Sequence, residues 1–175
     1  MGVTIHYRFA REQEPEELMK KVEQAAKRLG MKIEHRSWNH LTINPHKDSE
    51  WIDLHWHKVM TVKARDKDKW DYDLRTIKDL GELEDEMWYC SGFTKTHYAG
   101  AEAHVQVAEL LRAVAGRCQI SKVSDEADYY EAGMSDETME KLETYWRGYN
   151  EQLGLLAAKL KKAFGSENVI SGDEL

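Results

Sequence analysis

Three stretches of the 175-residue chain gather side chains that can do chemistry. In Asp53-Leu54-His55-Trp56-His57 the polar residues recur at every second position. On an extended backbone such residues share one face, with about 6.6 Å between successive side chains. Two imidazoles beside a carboxylate make the mixed donor set that suits Zn, Fe or Mn. His6 lies on the polar face of another extended stretch and joins this set if the two strands are neighbours. A competing reading makes the whole face the wet side of an amphipathic strand, where histidine is comfortable.

The second stretch, Phe93 to Gly100, has the pattern of a strand running into a helix. A helix start exposes backbone N–H groups, and Lys95, the Thr96 hydroxyl and Gly100 are residue types that hold an anion there. No glycine pair brackets the lysine, so it is not a P-loop; the plainer alternative is a turn satisfied by its own Thr and Tyr side chains. The third stretch, Ser124 to Glu131, crowds Asp125, Glu126, Asp128 and Glu131 with two tyrosines at a strand end. Mutual repulsion there raises a carboxyl pKa or draws in a cation, unless Ser124 or Asp125 only caps a short turn.

These patterns define an expected ligand set. His55, His57, Asp53, His97, Asp125 and Glu126 are the candidate metal ligands, and His6, Lys95, Thr96, Tyr98 and Glu131 the candidate contacts to a small anionic molecule. The cofactor they point to is a divalent metal. They name no reaction. HExxH, GxSxG and GxGxxG are absent, and Asp66, Asp68, Asp71 and Asp73 lack the glycine and the final glutamate of a calcium loop. His104, inside a helical pattern, reads as a packing or surface histidine.

Elements must position these residues. Val3, Ile5, Tyr7 and Phe9 alternate with polar residues as a strand does. Pro15 and two glutamates open a helix through Leu18, Val22, Ala25 and Leu29, which Gly30 stops. A further extended segment runs over 32–44, and another carries Ile52, Leu54, Trp56, Met60 and Val62 on one face. After a charged excursion over 63–86 the periodicity predicts a strand over 87–96, a helix over 101–115 and a short strand over 120–123. Ser135 caps a last helix of nearly thirty residues, striped by Met139, Leu142, Tyr145, Trp146, Tyr149, Leu153, Leu156, Leu160 and Phe164. The order is not a steady βαβα alternation. It predicts an α+β fold in a single-domain, two-layer architecture, with a mixed sheet of about five strands, three main helices mostly on one face and a long C-terminal helix. Residues 1–175 form one domain, with 166–175 as a flexible tail.

Composition bounds the partners. Hydrophobic residues make up 41% and charged residues 33%, which places the chain among globular proteins. A net charge of −7 excludes nucleic acid as the main partner. No apolar run is long enough to span a membrane, and two cysteines without CxxC spacing suit a reducing, cytoplasmic compartment. All eight histidines fall within the first 104 residues, whereas the acidic surplus lies after them, where 13 acidic groups face 8 basic ones. The chemistry is therefore expected in the sheet-forming part. Two functions fit: a small-molecule- or metal-binding domain with its site on the sheet face and strand ends, or a non-catalytic, homo-oligomerising module that uses the open sheet face, with Trp51, Trp38 and Trp70 as its aromatic contacts.

Overall fold

A computed structural model of the chain describes residues 3–58, 87–133 and 135–164. The expected excursion over 63–86, the tail over 166–175, Met60, Val62 and Trp70 lie outside the described residues. The elements are β1 (Thr4–Arg11), α1 (Glu16–Arg28), β2 (Lys32–Arg36), β3 (His40–Asn44), β4 (Ile52–His55), β5 (His57–Lys58), β6 (Trp88–Lys95), α2 (Gly100–Ala115), β7 (Ile120–Asp125), α3 (Tyr129–Ala132) and α4 (Asp136–Phe164).

The α+β architecture with a long C-terminal helix is present. Its strands form two sheets, one in the order β5-β6-β1-β7 and one in the order β2-β3-β4, and all their pairings are antiparallel. The expected single mixed sheet differs in this detail for a physical reason. Strands β6 and β7 run parallel to each other through the crossover helix α2, but β1 is slotted between them and pairs antiparallel with both. The parallel-running strands therefore never touch.

The two sheets meet where β4 passes into β5. Trp56 alone separates them, fully buried, with its backbone N–H donated to the Asn39 carbonyl at 2.8 Å and its own carbonyl accepting from Asn39 Nδ2 at 3.0 Å. The first half of this segment pairs with β3, the second with β6. Between β4 and β6 the phenol of Tyr7 closes the gap. Its hydroxyl donates to the Asp53 carbonyl and accepts from the Asp53 N–H, both at 3.1 Å. Tyr7 reaches that far because it crosses Gly92, where a Cβ would stand 2.5 Å from the phenol oxygen.

Period-two alternation puts Ile5, Tyr7 and Phe9 of β1, with Leu41, Ile43, Ile52 and Leu54 of the other sheet, into one core. Leu18, Met19, Val22 and Ala26 of α1 and Val107, Ala108, Leu111 and Val114 of α2 cover it. Helix α1 ends on Gly30, whose φ of +77° lets the Met31 N–H reach back to the Ala26 carbonyl. Ser135 caps α4, accepting the Thr138 N–H at 3.1 Å. Among the described residues no helix is long and apolar enough to cross a membrane.

Candidate functional site

The outward residues of the larger sheet follow from its register. His6 stands opposite Phe93 and Ser124, Arg8 opposite Ser91 and Lys122, and Ala10 opposite Tyr89 and Ile120. Ala10, Tyr89, Met87 and Ile120 close one end of this face as a small apolar cluster. The rest forms a concavity of about 380 Å³ lined by His6, Arg8, Ser91, Phe93, Lys122 and Ser124, within the size range of small-molecule sites. Two permanent cations, two hydroxyls and an imidazole thus surround an aromatic ring, and none of the described residues lining the concavity is a carboxylate. Arg8 and Lys122 are direct cross-strand partners, so two cationic side chains stand side by side on this face. Lys95 leans over the Phe93 ring at 5.6 Å and is bound to Glu50 at 3.3 Å.

A second feature occupies the smaller sheet. His40 and His55 are register partners, as are Thr42 and Asp53, so these four residues share the face away from the core. The imidazoles of His35, His40, His55 and His57 form a chain, with centroid separations of 4.8, 4.5 and 4.1 Å in that order. Asp53 Oδ1 lies 2.6 Å from His40 Nε2 and accepts the Thr42 hydroxyl at 2.8 Å. Burial works to raise the Asp53 pKa, but these two hydrogen bonds together with the His40 and His55 charges outweigh it and hold the carboxyl below its usual range. For His55 burial and the neighbouring His57 and His40 depress the pKa. The rings follow one another in a row, stacked between His40 and His55 and tilted at the other two contacts; among the described residues no three His, Cys, Asp or Glu side chains are placed to hold one metal ion.

Thr96 and Asp125, at two strand ends, are held inside the protein. Thr96 Oγ1 lies 2.8 Å from His104 Nδ1, and His104 Nε2 lies 2.9 Å from Asp125 Oδ2. Thr96 and His104 are fully buried and Asp125 nearly so, so this Thr-His-Asp series has no face toward substrate. Asp125 also accepts the N–H groups of Ala127 and Tyr130 at 2.9 and 3.0 Å. Burial pulls the Asp125 pKa up, yet the His104 hydrogen bond and charge and the two backbone donors bring it below the ordinary carboxylate value. Glu126 Oε2 accepts the Thr4 N–H and Glu131 Oε1 accepts the Asp125 N–H. These carboxylates tie β1, β7 and α3 together.

Of the residues expected to form one site, the structure brings Asp53, His55 and His57 together. His97 is elsewhere, tilted against Tyr98 at 4.0 Å and edge-on at 5.7 Å to Tyr149 of α4, and burial with the nearby Lys95 charge lowers its pKa. Asp125 and Thr96 belong to the buried network, whereas Glu126 is exposed and accepts the Thr4 N–H. His6 does not adjoin His55, because β6 lies between β1 and the β4–β5 segment; it lines the cationic concavity. Sequence reasoning missed His35 and His40, which a hairpin brings in, and Arg8, Lys122 and Ser91, and it took Ser124 for a turn cap. The one available signal was that Arg8 alternates with His6 on the same strand face.

No protein-family model, no curated protein and no solved structure matches this chain.

Proposed function

We propose that the chain is a binding protein for a small organic anion, held on the open sheet face by Arg8 and Lys122. The observation that carries this reading is the concavity itself. Arg8 and Lys122 are cross-strand register partners, so a phosphate or carboxylate placed between them would meet two cations at once. Ser91 and Ser124 then donate hydroxyls to the same group, Phe93 offers a stacking surface to a planar portion, and His6 contributes a donor or an acceptor. A divalent metal on His55, His57 and Asp53 fits less well, because among the described residues no three such side chains are placed around one point. Trp51, 55% exposed, and Trp38 remain on the surface, but Trp38 is already packed edge-on against Trp88 at 5.3 Å, which favours a ligand face over a flat docking face.

The test is calorimetric titration and thermal shift with inorganic phosphate, pyrophosphate, a nucleoside monophosphate and a dicarboxylate at matched ionic strength. A saturable response to at least one is expected, reduced about tenfold or more in affinity in Arg8→Ala and Lys122→Ala, each removing a charged hydrogen bond. Responses no larger than those to sodium chloride, or undiminished in both variants, would sink the reading.

A further inference from the structure

Helix α4 keeps a heptad spacing along its whole length. Met139, Leu142, Trp146, Tyr149, Leu153, Leu156, Leu160 and Ala163 alternate steps of three and four, the repeat of a helix that buries one seam against another. The first half of that seam is occupied. Leu142 and Trp146 are buried, Met139 packs against the core, and the Trp146 ring lies 5.1 Å from His104. The second half behaves differently. Among the described side chains from Asn150 to Lys159 every one is exposed, Leu155 by 64% and Leu156 by 52%. Residues 150–164 thus extend the helix roughly 22 Å past its last aromatic contact. A helix of that length is marginal in water unless an apolar face is covered.

The charges say what covers it. Residues 136–151 carry Asp136, Glu137, Glu140, Glu143 and Glu151 against Lys141 and Arg147, whereas 152–164 carry Lys159, Lys161 and Lys162 and no acid. Two copies side by side and parallel would set three lysines against three and bring both domains to the same end. Two copies running antiparallel place each lysine group toward the partner's Glu151 and the domains at opposite ends, in a closed two-fold arrangement. We propose that the second half of α4 is the seam of an antiparallel homodimer with a second copy of this chain. It is independent of the anion site, which lies on the sheet face away from α4.

Sedimentation equilibrium on the full chain, from micromolar to millimolar concentration, is expected to show mass rising toward twice that of one chain. Leu156→Lys, on the seam, should weaken association about tenfold or more; Leu155→Lys, one position off it, should leave association unchanged. Both sites are exposed, so an unchanged thermal midpoint will show that the domain still folds. Carbodiimide coupling of mixed isotope-labelled and unlabelled chains is expected to yield a peptide joining Glu151 of one copy to Lys161 or Lys162 of the other, a span no single straight helix can close. A monomer at every concentration would overturn the dimer, as would equal effects of the two leucine variants. Association without the mixed Glu151–lysine peptide would overturn the antiparallel arrangement.

Discussion

Asp125 is the acceptor for a buried imidazole and two part-buried backbone N–H groups, so its removal leaves all three donors without this partner. Asp125→Ala is expected to cost about 3 kcal/mol, read as a lower urea midpoint with an unchanged slope. Because its folded pKa lies below the unfolded value of 3.8, the stability it contributes is present above that value and is lost as the pH falls through the folded one. His55 acts in a higher window. Its folded pKa lies below the unfolded 6.5, so the unfolded chain takes up a proton first and stability declines as the pH drops below 6.5. The groups facing it are His57, His40 and His35, which oppose its charge, and Asp53, which favours it. Urea midpoints at about pH 7.5 and about 5.5 should therefore differ, and His55→Gln should narrow the gap; an equal gap in the variant would refute the assignment. Asp53, His55 and His57 were legible together because two-residue spacing is a local property of a strand. His35 and His40 were not, since their approach depends on a register set by partners in another element.

At the scale of elements, the junction of the two sheets depends on a missing side chain. Gly92→Ala puts a methyl where the Tyr7 phenol lies, forcing the ring aside and breaking both hydrogen bonds to the Asp53 backbone. A loss of about 3 kcal/mol is expected from overpacking and the unpaired polar groups, and Tyr7→Phe should cost about 1 to 2 kcal/mol, both measured by chemical denaturation. The hairpin of β2 and β3 shows what sequence periodicity misses at this scale. Residues 32–44 read as one extended segment because the turn between the strands has neither Gly nor Pro; the Ser37 N–H closes it on the His40 carbonyl, and Asn39 anchors it to Trp56. Helix α3 escaped notice because four residues are too few to show a period.

For the molecule as a whole, α4 is fastened to the domain chiefly by Leu142 and Trp146. Trp146→Ala should cost about 4 kcal/mol and open α4 to proteolysis, whereas Trp146→Phe should cost about 1 kcal/mol, because the indole N–H has no hydrogen-bond partner among the described residues. Limited proteolysis with circular dichroism separates these outcomes.

The α+β class, the strands at either end of the sheet-forming part, the three main helices and the heptad stripe of α4 follow from the sequence alone. Each rests on a period of two or about 3.6 residues, or on a cap, and such signals are carried by neighbours along the chain. Tertiary structure decided the rest. The slot of β1 between β6 and β7 makes every pairing antiparallel, sets Arg8 beside Lys122, and parts His6 from His55. The packing of α2 on the sheet draws Thr96, His104 and Asp125 inside. Those juxtapositions join residues tens of positions apart, and only the burial of a shared core selects which of them meet.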